Sequence, residues 1–271
     1  MEQYVKCRQR KAAYRTLYLE LTTIKTVNKW LIESELLPAN CKLIYKLTKP
    51  QGTDTHCYSR REVAAMFAQC GQTPGLEWLS RVIVALAHTG LRISELAGLR
   101  WSDIDLHTGT IRVADERSSR RRQLAGSART TKGRRSRVVP IHPRLRVVLM
   151  RLDRSPGGRV FHAAQGGVLR PRNVLAMFID NVIEPLKKDF PTPVGEIGFE
   201  HGRLHSFRHY FCSQAFVGGA SEGEIRDWLG HADSKMVEHY RHLGSEDSQR
   251  KMERIEFLTE DDEEPPSTET A

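Results

Sequence analysis

Apolar positions recur along this chain with the periods of helices and, in one stretch, of strands. Within residues 13–37, Ile24, Val27, Trp30 and Leu31 fall at spacings of three and four, with Lys25 and Lys29 on other faces, which predicts a helix that Pro38 and Asn40 end. One amphipathic helix cannot bury its stripe alone, so it is expected to belong to a small helical unit. The polar, turn-rich run Lys49-Pro50-Gln51-Gly52-Thr53-Asp54-Thr55 is a linker by composition and sets the main boundary.

Beyond it, Ser59-Arg60-Arg61-Glu62 has the spacing of a capping box opening a helix through Phe67. Leu76, Leu79, Val82, Ile83 and Leu86 predict a core helix over 76–88, and a shorter helix is expected over 91–99 with Arg92 in its first turn. The period then changes to short β-type runs over 102–105, 110–113 and 137–141, with His107-Thr108-Gly109 as a turn. Helices resume at 143–152 and at 172–188, where Val174, Leu175, Phe178, Ile179 and Ile183 form a stripe. Further helices are expected over 203–216, 222–229, 234–242 and 247–258. The fold class that follows is mainly α with a small antiparallel β-sheet.

Composition narrows the class of partner. The net charge is +9, and six acids (Glu260, Asp261, Asp262, Glu263, Glu264, Glu269) are gathered in the last 13 residues, so the rest is more basic still. That balance favours a polyanion, nucleic acid before membrane, because clustered Lys and Arg release counterions from DNA. Between the second and third β-type runs stand Arg117, Arg120, Arg121, Arg122, Arg129, Lys132, Arg134, Arg135 and Arg137, with glycines and few apolar residues. This reads as a mobile basic hairpin laid on phosphates, since so many like charges repel unless an anion is near. Cys7, Cys41, Cys57, Cys70 and Cys212 are scattered, with no C-x-x-C pair, which predicts reduced thiols in a cytoplasmic protein. No apolar run approaches a membrane span of about 20 residues, and residues 259–271 have the composition of a disordered tail.

The chemistry-bearing residues are weak signals singly and informative in order. Thr89-Gly90-Leu91-Arg92-Ile93-Ser94-Glu95-Leu96 is followed by Lys132-Gly133 and Arg137-Val138-Val139-Pro140-Ile141, then His205-Ser206-Phe207-Arg208-His209, Leu229-Gly230-His231, and Tyr240 nine residues on. Guanidiniums suit a phosphodiester because each donates in a planar fork to the non-bridging oxygens. A phenol can attack phosphorus, although ionising one at pH 7 costs roughly 4 kcal/mol unless a base or positive potential helps. His201, His205 and His209 recur at i, i+4, i+8, but Gly202 interrupts the run and no carboxylate lies between them as in H-E-x-x-H, so no metal site is expected.

In this order the motifs resemble those of the tyrosine recombinase (phage integrase) family, in the style of its Xer-type enzymes, over 58–258. The resemblance implies a catalytic domain over 51–258, a partial helical core-binding segment over 1–50 similar to the last helices of the family's DNA clamp, and the tail over 259–271. It implies that Arg92, Lys132, His205, Arg208, His231 and Tyr240 are catalytic, with Glu95 in the acidic support position. Arg120, Arg121, Arg122, Arg134 and Arg135 of the basic hairpin are the expected DNA contacts. The implied activity is site-specific recombination or integration through a 3′-phosphotyrosyl intermediate, without metal, ATP or other cofactor. The implied partner is double-stranded DNA, held in tetramers on two duplexes in the nucleoid, with 247–258 exchanged between neighbours. The residues leave two alternatives, a truncated DNA-binding relative that does not cleave and a metal-dependent nuclease.

Overall fold

A computed structural model describes residues 2–45, 48, 55–124, 129–131, 135–154 and 158–230, the side chains of Glu2, Arg121 and Arg122 excepted. The chain divides into two compact units, 1–54 and 55–271.

The first unit contains α1 (Glu2–Gln9) and α2 (Tyr14–Glu33). Its small core is Val5, Leu17 and Leu21, with Ile24 and Tyr45 packed on it. The helix predicted over 13–37 therefore exists, but its buried stripe starts at Leu17, about two turns earlier than the pattern suggested. Val27 and Trp30 are about half exposed, at 49% and 58%. Arg8 Nε donates to Glu20 Oε2 (2.9 Å) and Tyr4 Oη donates to the same oxygen (2.9 Å), tying α1 to α2.

In the second unit, α3 (Arg60–Gln72) opens on the expected capping box. The Glu62 N–H donates to Ser59 Oγ (3.2 Å), and the Ser59 N–H donates back to Glu62 Oε2. Glu77–Thr89 forms α4, whose face Leu79, Val82, Ile83 and Leu86 is fully buried. Gly90 ends it at φ +62°, a left-handed position where a side chain is strained, and donates its N–H to the Leu86 carbonyl (3.0 Å). A five-residue helix, α5 (Ile93–Ala97), follows. Arg92 lies just before it in extended backbone, one step outside the first turn that the sequence predicted.

The sheet has three antiparallel strands in sequence order, β1 (Ile104–Asp105), β2 (Thr110–Val113) and β3 (Arg137–Pro140). Asp105 Oδ1 accepts the N–H groups of His107 (2.8 Å) and Thr108 (3.0 Å), which fixes the first turn. Val113 pairs with Arg137, so the basic segment springs from the open end of β2 and β3. It is not loop throughout, because α6 (Arg120–Leu124) lies inside it.

Pro143–Met150 is α7 and Pro171–Phe178 is α8. The continuous helix predicted over 172–188 is instead interrupted by a π turn, Ile179–Ile183, before the short α9 (Glu184–Leu186). Pro185 is the cause: it has no N–H to offer the Asn181 carbonyl. Gln69 Nε2 of α3 donates to that carbonyl instead (3.2 Å).

Next comes α10 (Ser206–Val217), starting three residues later than predicted; α11 (Glu222–Leu229) begins at a Ser221–Glu224 capping box and ends at Gly230, φ +65°. Tyr58 is buried among Phe178, Phe199 and Phe207, with ring centroids 4.9–6.5 Å away. Its ring also lies where a Cβ on Gly202 would fall, within 2.4 Å. The core thus binds α3, α4, α8 and α10 into one body, and the sheet and α11 are set against it.

Candidate active site

Arg92 and Arg208 come from elements more than a hundred residues apart and meet around the end of α4. Arg208 is 1% exposed. Its Nη1 donates to the Gly90 carbonyl (2.6 Å), two residues before Arg92, and its Nη2 donates to the Leu229 carbonyl at the end of α11. Its Nε has no partner among the described residues. Burial first, and then the like charge of Arg92, push the Arg208 guanidinium down to about 9, which leaves it cationic at pH 7. Two bonds to carbonyls use only part of its donor set of five, so donors remain for an anion.

Glu95 holds the other arginine. The Arg92 N–H donates to Glu95 Oε2 (2.9 Å) and Arg92 Nη1 donates to Oε1 (3.2 Å). This is half of a capping box; arginine has no acceptor with which to return the second bond. The Glu95 side chain is 4% exposed. Burial pushes its carboxyl up, but the Arg137 fork and then Arg92 outweigh burial and leave it below the ordinary carboxylate range.

His205 is exposed and sits just before α10, its ring 5.3 Å from that of His209. His201, His205 and His209 do not form a group that could hold a metal ion. Arg120 and Arg135 are exposed, and Arg121 and Arg122 lie in α6. Lys132, Arg134, His231 and Tyr240 lie outside the described residues, as do the helices expected over 234–242 and 247–258 and the tail.

The basic segment departs from the expectation that its charges all await an external anion. Arg117, Arg129 and Arg137 are paired inside the protein. Arg129 reaches Asp103 with both Nη atoms and Glu116 Oε1 with Nη2 (2.8 Å), and its N–H donates to Glu116 Oε2 (3.0 Å). Arg117 Nη2 donates to Asp115 Oδ2 (2.8 Å), and the Thr131 N–H and Oγ1 donate to the same oxygen (2.8 and 3.0 Å). The acids that meet these cations were in plain view as Asp103, Asp115 and Glu116; the Arg117–Asp115 pair is local, whereas the partners of Arg129 were hidden because they lie 13 and 26 residues away.

This root has a consequence for acid stability. Hydrogen bonding by Arg129 draws the Glu116 carboxyl down to about 2, and Arg117 holds Asp115 well below the usual range. A carboxyl depressed in the folded state contributes stability above its unfolded value, near 4.3 for Glu, and loses it as pH falls toward the folded value. The thermal midpoint is therefore expected to fall between about pH 4.5 and 2; a level midpoint through that window would contradict the pairing.

Comparison with known proteins decides the family. The family model described as "Phage integrase family" matches residues 58–247, more than two thirds of the chain. The chain belongs to the phage integrase family, the tyrosine recombinases. Among curated relatives of this integrase-family chain, tyrosine recombinase XerC of Anoxybacillus flavithermus is 23% identical over 247 residues, covering 87% of this chain and 73% of that protein. XerC of Myxococcus xanthus is 28% identical over 231 residues, covering 85% and 72%. In fold, the chain is similar to the Tn1549 transposon integrase in complex with a circular intermediate DNA (TM-score 0.70, 18% identity, 94% of this chain and 83% of that one). It is also similar to a lambda integrase dimer bound to a COC′ core site (TM-score 0.67, 14% identity, 95% and 82%). These are the proteins whose catalytic domains share the mainly helical body and small antiparallel sheet. Among the described residues no helix is long and apolar enough to cross a membrane.

Proposed function

We propose that this recombinase-family chain breaks and rejoins DNA strands through the six residues named from its motifs. The Tyr240 phenolic oxygen attacks a backbone phosphorus, forming a 3′-phosphotyrosyl bond as the bond to the 5′-oxygen breaks. His205 takes the phenolic proton, and Lys132 gives a proton to the departing 5′-oxygen. Arg92 and Arg208 donate to the non-bridging oxygens where charge builds, and His231 donates to one of them. Reversal by a different 5′-hydroxyl completes the transfer. The phosphoester bond is conserved in the tyrosyl link, so the exchange draws on neither ATP nor metal.

The observation that carries this reading is the convergence of Arg92 and Arg208 around a buried, ionised Glu95. Three fixed cations, Arg92, Arg137 and Arg208, beside one anion leave a net positive site, which suits a phosphodiester. The basic segment, with Arg120 and Arg135 exposed and Arg121, Arg122 and Arg134 beside them in sequence, is the proposed backbone contact. Integrase neighbours in complexes include a lambda integrase tetramer bound to a Holliday junction. We assign the same kind of assembly here, on two DNA duplexes in the nucleoid, with 247–258 exchanged between neighbours.

A nicked suicide substrate tests the chemistry. The chain is expected to form an SDS-resistant adduct with it in EDTA, and Tyr240→Phe is expected to abolish that adduct. A band shift with no adduct would make the chain a DNA binder that does not cleave. Cleavage that stops in EDTA would make it a metal-dependent nuclease.

A further inference from the structure

Arg137 opens β3, and its side chain is 6% exposed. Its donors all point inward. Nη1 donates to Glu95 Oε1 (3.1 Å), Nη2 donates to Glu95 Oε2 (2.8 Å), and Nε donates to the Trp228 carbonyl (2.7 Å). Each Glu95 oxygen therefore takes one bond from Arg92 and one from Arg137. At the other end, the Trp228 and Leu229 carbonyls receive one guanidinium each, Arg137 and Arg208. These are among the last carbonyls of α11, which have no partner within the helix and carry the negative end of its dipole. A Cβ on Gly230 would stand 2.8 Å from Arg137 Cδ, so the stem of this arginine also fills the space beside the turn that leads to His231.

We propose that Arg137 is a positioning residue of the strand-transfer site: it holds Glu95 as a carboxylate in one orientation, and so Arg92, and it seats the end of α11 ahead of His231. The proposal rests on the transesterification reading above. It removes Arg137 from the phosphate-facing set, because its fork is taken by the Glu95 carboxylate and its Nε by the Trp228 carbonyl, whereas Arg208 meets only neutral carbonyls and keeps its Nε.

The physical reason is a matter of charge. Glu95 is faced by Arg92 at the start of α5, Arg137 from β3 and Arg208 from α10; Arg129, already paired with Asp103 and Glu116, lines the same small cleft. With Arg137 in place, the carboxylate is shared between the Arg137 fork and one Nη of Arg92, and Arg92 keeps donors and charge for a phosphate. Without it, burial dominates at Glu95, which either protonates and releases Arg92 or draws Arg92 wholly onto itself. A displacement of the phosphate-binding guanidinium of about 1 Å is enough to cost on the order of 10²-fold in rate.

The test compares the full chain with Arg137→Met, which keeps the stem and loses the fork, and Arg137→Lys, which keeps the charge. Adduct formation on the nicked substrate is measured in single turnover at saturating DNA from pH 5.5 to 8.5. DNA affinity is measured alongside, and the Glu95 carboxyl is titrated by carbon NMR. Arg137→Met is expected to cleave about 10²-fold more slowly at pH 7 with affinity changed less than about threefold. Its rate is expected to fall more steeply than the unmutated chain's below pH 7, with the Glu95 titration moved upward. Arg137→Lys is expected to restore the shallower pH profile while recovering only part of the rate. Variants that melt earlier yet cleave at full rate per folded molecule, with the pH profile unchanged, would reduce Arg137 to a structural bond and overturn the proposal. If Arg137→Met does not fold, Arg137→Lys with an unaltered rate does the same. If the unmutated chain forms no adduct, the transesterification reading fails by itself, and the Glu95 titration still decides: a carboxyl that does not move in either variant overturns the role of Arg137.

Discussion

Replacing Arg208 by lysine is expected to slow adduct formation by about 10³-fold at pH 7 and to destabilise the fold by about 2 kcal/mol. Both effects follow from one geometry. The guanidinium spans the Gly90 carbonyl and the Leu229 carbonyl, which belong to separate elements. A lysine ammonium is a point donor and cannot serve both in the same fork, so one buried carbonyl loses its partner at a cost of about 1–3 kcal/mol. The catalytic loss comes from the remaining donors, which are aimed by the bonds to those carbonyls; removing one preorganised donor to a transition-state oxygen typically costs 10²–10³ in rate. Arg208 stays cationic at pH 7 with its pKa pushed down to about 9, whereas the same burial acting on a lysine, which starts from a lower ordinary value, favours the neutral amine, so the variant loses charge as well as the fork. Urea denaturation and single-turnover cleavage at saturating DNA measure the two losses. A lysine variant that cleaves at the unmutated rate would remove Arg208 from the site.

The second large effect is expected at Gly90. Gly90→Ala should cost about 3 kcal/mol, from about 1 kcal/mol for an L side chain at positive φ and about 2 kcal/mol of overpacking. The added methyl would stand 2.7 Å from Leu229 Cδ2 and 2.7 Å from Phe211 Cδ1, with the backbone at φ +62°. Leu229 cannot move freely, since it is fully buried and its carbonyl receives Arg208. Gly75→Ala is the control: its φ is +83°, but nothing lies within 4 Å of its added carbon. The control should lose only the backbone part, about 1 kcal/mol. Equal urea midpoints for the two variants would show that the close approach of Leu229 and Phe211 carries no cost. Gly90→Ala should also slow cleavage beyond its effect on stability, because the Gly90 carbonyl is one of the two fixed points for Arg208.

The motif order T-G-L-R-I-S-E-L therefore carries two kinds of information. The resemblance paired Arg92 with Glu95, and the structure gives the physical reason: they stand three positions apart at a helix start, a spacing that brings a carboxylate back to the chain entering the helix. Gly90 is legible as a helix end, since Thr89-Gly90 follows a buried periodic stripe and glycine is the residue that tolerates the left-handed cap. That the same glycine also receives Arg208, and that its missing side chain makes room for Leu229, is not written in the local pattern. Those contacts join positions 90, 208 and 229, which only the folded chain makes neighbours.

The sequence by itself determined the local elements and the chemistry on offer. The Ser59–Glu62 box, the buried face of α4 and the β2 strand each follow from interactions within a few residues, so periodicity and capping were enough to read them. The tertiary structure decided what each charge is for. Arg117, Arg129 and Arg137 look like their neighbours Arg120 and Arg135 in sequence, yet the first three meet Asp115, Asp103, Glu116 and Glu95 while the other two face solvent. It also decided that α2 buries Leu17 and Leu21 and leaves Trp30 half exposed, and that Gln69 of α3 takes the carbonyl freed by Pro185. Apart from the local Arg117–Asp115 pair, the reason is the same: the sign of a charge and the period of a stripe are local properties, whereas the partner that cancels the charge or covers the stripe is set by packing between distant segments.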